Sequence, residues 1–175
     1  LAYGGNGPVF AAIQAQELGI GQVLVPKASP AFSALGALVA QPSIDEERSY
    51  LASVTSVDLD RLRTLWQELD ERADRFLLAA GDPGVARFRR YQVNLRYPGQ
   101  NWALAVEADR VEGEPDLSFV DEGLPDAIRK AFHERHRAEY GHSRLEEEPE
   151  VTGVRLLAWV DIETPRFDGG LAKNL

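Results

Sequence analysis

The chain has 175 residues, 44% hydrophobic and 27% charged, a soluble globular composition long enough for one domain or for one and part of another. Its formal net charge of −9 argues against a nucleic-acid surface, which needs clustered Lys and Arg. With no Cys, it excludes disulfides, thiolate catalysis and Cys-ligated metals, and it fits a cytoplasmic protein.

The chain opens on "LAYGGNGPVF", a glycine-rich turn that feeds a helix predicted over 8–18. Pro8 suits the first turn, where its missing N–H costs nothing, and Gly19 suits the stop. Val9, Ile13 and Gln16 with Ala12 form the expected helical stripe. "QVLVP", 22–26, reads as a short buried strand ended by Pro26. A second helix is predicted over 29–40, with Ser29 as its cap and Pro30 in its first turn. Its small residues, Ala31, Ser33, Ala34, Gly36 and Ala37, imply close packing against a neighbour. Helix–strand–helix is the texture of an α/β layer, but three elements make a poor domain. The chain also lacks Met throughout, and its glycine turn follows Leu1 almost at once. Both features read as the interior of a longer polypeptide. No apolar run is long enough to span a membrane, and no signal-peptide pattern is present.

After Gln41-Pro42 the texture changes. "SIDEERSYLASV" reads as a strand, and Asp58 caps a long helix predicted over 58–80. Leu62, Leu65, Trp66, Leu69, Ala73, Phe76 and Leu77 recur at three- and four-residue spacing, and Gly81 ends the helix. Residues 86–97 alternate as a strand, "PGQ" turns the chain, and 102–108 is the antiparallel partner. A helix over 120–139 carries Leu124, Ile128, Ala131, Phe132 and Arg135 on one side, and a strand over 150–163 follows. This second part is β-α-β-β-α-β, in the α+β class. Trp66, Trp102 and Trp159 are expected in core stripes, and the tail 166–175 reads as loose.

Three groups of residues invite chemistry. A glycine turn at a helix N-terminus leaves N–H groups and a positive dipole end facing outward, which supports nucleotide binding. The plainer reading is a tight turn with no ligand. "YGGNGP" is neither a Walker loop nor GxGxxG. His133 and His136 stand three apart on one helical face, as metal ligands can, with His142 at the helix end. No second ligand pair accompanies them, so no metal site is expected, and His142 suits the C-terminal dipole. Arg96, Tyr97 and Gln100 around "RYPGQ" face a substrate or partner on one reading. On the other, Pro98-Gly99 makes a hairpin turn with Tyr97 packed on the sheet.

Four stretches in order, "AYGGNGP", "VLVPKASPAFSALGALVA", "NLRYPGQNWALAV" and "FHERHRAEYGH", resemble the hydantoinase A / 5-oxoprolinase / acetone carboxylase family over most of residues 1–162. The resemblance implies that 1–42 is the C-terminal edge of an actin/Hsp70-like ATPase domain and that 43–165 is the family's C-terminal α+β domain. It implies ATP and Mg in the parent protein, with Gly4, Gly5, Asn6 and Gly7 against the adenosine side of ATP and Tyr3 alongside. The implied partners are the N-terminal ATPase portion of the same chain and a second hydantoinase or carboxylase subunit. The segments that would hold Mg and the phosphates lie upstream of residue 1 in the family. No catalytic residue is therefore assigned, and the isolated chain is expected to be inactive without bound cofactor. The implied reaction is ATP-dependent hydrolysis of a cyclic amide such as hydantoin or 5-oxoproline. The alternatives are ATP-dependent ketone carboxylation, or a fragment that acts only in assembly. Phe10 stands where many hydantoinase-type members have His, and Asn94-Leu95 precedes "RYPGQ" where Asp is more usual. These departures leave the substrate open.

Overall fold

The 22-residue helix α3, Leu59–Ala80, organises most of the molecule. Asp58 caps it by accepting from the Arg61 N–H at 2.9 Å. Its apolar stripe buries Leu62, Leu65, Trp66, Leu69, Ala73 and Leu77 on a single face, as the three- and four-residue spacing requires. That face packs on a four-stranded antiparallel sheet of β1 (Ser43–Ser53), β2 (Arg87–Arg96), β3 (Leu104–Glu112) and β4 (Glu150–Val160), in the spatial order β1-β4-β2-β3. A second helix, α4 (Leu124–Tyr140), packs by β3. The β-α-β-β-α-β order is as the sequence predicts, and the mixture of helix and antiparallel sheet is α+β. Tyr91, Val93, Leu95, Val154, Leu156 and Phe132 join the α3 stripe in one continuous core.

The structure, a computed structural model, describes residues 1–81 and 84–163. The described chain divides into two compact units, one built on Leu1–Ala40 and the other on Gln41–Ile162. The predicted loose tail, 166–175, lies outside the described residues. In the first unit, α1 spans Gly7–Glu17, with Pro8 in its first turn. Gly19, at φ +67°, ends it: the Ile20 N–H bonds to the Ala15 carbonyl and the Gly19 N–H to the Gln16 carbonyl, a Schellman closure.

Several expectations fail here for physical reasons. Residues 22–26 form no strand. Beyond the turn bond from the Ser29 N–H to the Pro26 carbonyl, their backbone pairs only through the Ala2 N–H on the Leu24 carbonyl, and a single rung does not make a ladder. The second helix begins as a short 3₁₀ turn, Ser29–Ala31, and becomes α-helical as α2 only over Phe32–Val39. Ser29 falls inside that turn, and its buried hydroxyl makes no cap bond or any other. No residue of α2 is buried, so the described residues supply no neighbour for its small-residue face, in keeping with an expectation that this surface is covered only in a longer protein. The buried positions of α1 are Ala11 and Ala15, whereas Val9 and Ile13 are 66% and 60% exposed.

In the second unit, Trp102 is 82% exposed, because it sits in the hairpin connection before β3 begins. Trp159 is half-buried, stacked on Phe88 at 5.3 Å with Arg90 and Arg110 against its ring. Of the three tryptophans only Trp66 is a core residue. Arg135 is exposed, and the buried face of α4 is completed on its other flank by His133 and His136.

Candidate functional site

The residues singled out in the sequence fall in two places. The first is the turn before α1. Gly4 has φ +88°, a backbone open to glycine and strained for other residues, and its N–H bonds to the Ser29 carbonyl at 2.8 Å. Asn6 is the N-cap residue; it makes no side-chain cap bond, and its carbonyl accepts from the Val9 N–H at 3.2 Å. A Cβ added at Gly4, Gly5 or Gly7 would meet no atom within 4 Å. The surface over these glycines is open. Tyr3 lies beside them with its ring 5.2 Å from that of Phe32.

The second place joins the "RYPGQ" turn to α4. Pro98 and Gly99 occupy the centre of a turn closed by the Gln100 N–H on the Tyr97 carbonyl at 3.0 Å, with Gly99 at φ +82°. The Gln100 side chain closes it a second time, its Oε1 accepting from the Tyr97 N–H. Tyr97 is fully buried, edge-on to Phe132 at 4.9 Å. Its hydroxyl accepts from the Arg144 N–H at 2.7 Å and faces His133 Nδ1 at 2.7 Å. With the hydroxyl already accepting, its proton goes to Nδ1, which makes His133 the neutral Nε2–H tautomer. Burial, with Arg129 adding to it, holds the imidazole below the ordinary histidine value, in keeping with a neutral ring.

His136 is assigned by the same logic. Its Nδ1 donates to the His142 carbonyl at 2.8 Å, which leaves Nε2 to accept from Gln100 Nε2 at 3.2 Å. The spacing that resembles a metal pair is therefore a hydrogen-bonded clasp between a turn and a helix. Among the described residues no group of three or more His, Asp or Glu is placed to hold a metal. Arg96, the third member of the turn motif, pairs with Glu150 at 3.2 Å instead. Beside the clasp lies an open cleft of about 710 Å³ along α4, with His133 at its wall.

One polar cluster escaped the sequence reading. Asp70 accepts from the Tyr91 hydroxyl at 2.9 Å and lies 3.3 Å from Arg89 Nε, with all three residues buried. Arg89 also pairs with Asp74 and donates to the Gly113 carbonyl. Burial pushes Asp70 up to about 6 despite these bonds, and burial with Asp70 pushes the Tyr91 phenol up. The signal was present: Trp66, Asp70, Ala73 and Leu77 step by four, three and four, so a carboxylate stands in the apolar stripe.

With this geometry in view, comparison with known proteins places the chain. Residues 1–46, which contain the glycine turn, match the sequence model of the Hydantoinase/oxoprolinase family. The caprolactamase alpha subunit of Pseudomonas jessenii is 26% identical over 154 residues, 86% of this chain and 21% of that protein. The crystal structure of the ATP-dependent caprolactamase from that organism superposes with a TM-score of 0.67 at 25% identity, over 94% of this chain and 23% of that one. The chain is similar to proteins of the hydantoinase/oxoprolinase/acetone carboxylase family. An uncharacterized protein of Methanocaldococcus jannaschii is 27% identical over 88% of the chain and 20% of its own length. Acetone carboxylase in its nucleotide-free structure shares the fold, with a TM-score of 0.66 at 22% identity over 94% of this chain and 24% of that one. The chain thus spans about a fifth of the length of the curated relatives it matches. No described helix is long and apolar enough to cross a membrane.

Proposed function

We propose that the chain is part of a larger ATP-dependent enzyme that hydrolyses a cyclic amide. In that enzyme residues 1–42 would be the edge of an actin-like ATPase domain and residues 43–165 a C-terminal domain with assembly as its role. The observation that carries this reading is the open glycine turn at the start of α1, inside the segment that matches the family. The relative named caprolactamase supports the substrate class, since a lactam is a cyclic amide. ATP would supply a phosphoryl group to activate the ring carbonyl oxygen, so that water opens the ring. This chain's contribution is to bind. Gly4, Gly5 and Gly7 leave room for a planar base and ribose to approach the backbone at the start of α1, where no side chain caps the helix. Mg and the triphosphate would be held by residues outside 1–163, and the isolated chain would not turn over. A second reading, ketone carboxylation in a multi-subunit complex, is favoured by the fold shared with acetone carboxylase and by Phe10 in place of the family's His.

The test is Gly5→Val in the full-length parent. Gly5 is not at positive φ and an added Cβ meets nothing, so the substitution leaves the fold alone and fills only the space over the turn. Calorimetric titration of ATP should show affinity lowered about tenfold or more, a loss of about 1.4 kcal/mol. Circular dichroism should match that of the wild type. Unchanged affinity in the folded variant overturns the nucleotide role of this turn.

A further inference from the structure

We infer that the cleft along α4 is a binding site for a small oxyanion, a carboxylate or a phosphate, received by the Nε2–H of His133 together with Lys130 and Arg137. The inference does not rest on the ATP reading, because the cleft belongs wholly to the unit Gln41–Ile162.

The argument begins with His133. Tyr97 engages its Nδ1, so the ring cannot turn over without losing a bond between two buried groups. The proton is thereby fixed on Nε2. That atom makes no hydrogen bond with the described residues, and the ring forms part of the cleft wall. A fixed donor without an acceptor, at the edge of a cavity, is a receptor for an acceptor group. The charges around it agree. Lys130 and Arg137 flank His133 on α4 at i−3 and i+4, the positions that share its helical face. Neither has a carboxylate partner in the described structure, and Arg137 is held in place by the Ser143 hydroxyl at 3.2 Å. Arg129, the third cation of the cleft, is already committed to Asp126 at 2.7 Å and Glu148 at 3.2 Å, so it sets the potential without offering a free fork. A volume of about 710 Å³ lies in the range of small-molecule sites, and it is far more than one ion needs. In a protein with a net charge of −9, two uncommitted cations around a neutral imidazole donor run against the overall field.

Two carboxylates line the cleft and oppose binding, of which Asp126 is already paired with Arg129. Glu134 lines the same cleft, four residues after Lys130 and three before Arg137, within reach of either cation. It competes with an incoming anion for those cations. The site therefore predicts opposite effects from neighbouring substitutions, which unspecific attraction to a basic surface does not.

The experiment is a nuclear magnetic resonance titration of the chain. It follows the His133 ring nitrogens and the Ser143 and Leu145 amides with inorganic phosphate and, separately, succinate, against sodium chloride of equal ionic strength. Saturating shifts with phosphate, succinate or both support the site and name the oxyanion it takes. Lys130→Gln and Arg137→Gln, both at exposed positions, should each weaken the midpoint about fivefold, while Glu134→Gln should tighten it about twofold. Unchanged Phe132 and His136 signals confirm that the variants are folded. Shifts that sodium chloride reproduces, or midpoints equal in all four proteins, overturn the proposal.

Discussion

The two units of this chain handle apolar side chains in opposite ways. In Gln41–Ile162, α3 and the sheet bury Trp66, Leu69, Tyr91, Val93, Leu95, Leu156 and Phe132 completely. In Leu1–Ala40 the only buried hydrophobic residues are two alanines, while Val9, Phe10, Ile13, Leu24 and Leu38 stand more than half exposed. Composition does not explain the contrast, since "GALVA" is as apolar as any stretch in the core. Partners explain it. The second unit brings its own sheet to cover its helices, whereas the first has helices and an extended segment with no ladder to lie on. Apolar patterning needs a second surface before it becomes stability. The largest expected effect follows directly. Trp66 is fully buried, 5.2 Å from the Phe119 ring and 6.0 Å from that of Tyr91. Trp66→Ala should cost about 3–5 kcal/mol in urea unfolding followed by fluorescence or circular dichroism. A loss below about 1 kcal/mol would mean that the second unit is not the independently stable one.

The next effect sharpens the picture of that core by the one buried carboxylate among its described residues. Asp70 has an ordinary unfolded value of 3.8 and a folded value of about 6, so the folded chain holds its proton more tightly. Its contribution to stability is therefore full below about pH 4 and is lost as pH rises through about 6. At about 1.4 kcal/mol per pH unit the loss is about 2–3 kcal/mol. Asp45 works in the opposite sense, since its bond to Arg155 holds its pKa low. The comparison must accordingly be between wild type and Asp70→Asn. Unfolding free energies measured across this range should converge with the variant's slope flattened, and parallel curves would remove Asp70 as the cause.

The same contrast between units explains what could be read in advance. The stripe of α3, its Asp58 cap, the four strands of the second unit and the Pro98-Gly99 turn are local signals, and each reached its expected place. The failures are non-local. "VLVP" has the composition of a buried strand but no sheet to enter. The stripe assigned to α1 is Val9, Ala12, Ile13 and Gln16, yet Ala11 and Ala15 are what the unit covers. His133 and His136 were visible as a pair. Their roles became clear only when the fold brought in Tyr97, Gln100 and the His142 carbonyl from elsewhere in the chain. That clasp carries a prediction of intermediate size. Tyr97→Phe keeps the ring against Phe132 but strands the Arg144 N–H and His133 Nδ1, and should cost about 1–2 kcal/mol in the same unfolding assay. A neutral result would show that water replaces the hydroxyl without loss.

The smallest expected effect tests the other side of the comparison. Ile13 is 60% exposed on α1, beside Val9 and Phe10 on the same poorly covered helix. If its surface is bare in the chain as it stands, Ile13→Ala removes few contacts and exchanges one helix-compatible residue for a better one. The intrinsic preference for Ala over Ile in a helix is worth a few tenths of a kcal/mol. Ile13→Ala should therefore leave stability within about 0.5 kcal/mol, and protection of the α1 amides from hydrogen exchange should be equal to or slightly above wild type. The control is Ala15→Ser in the same helix, which puts a hydroxyl into one of the unit's two buried apolar positions and should lower that protection. A loss of about 2 kcal/mol or more for Ile13→Ala would mean that the side chain is covered in solution, as by a second copy of the chain. Measuring both variants over a hundredfold range of protein concentration separates the cases, because cover supplied by another molecule weakens on dilution and cover within the chain does not.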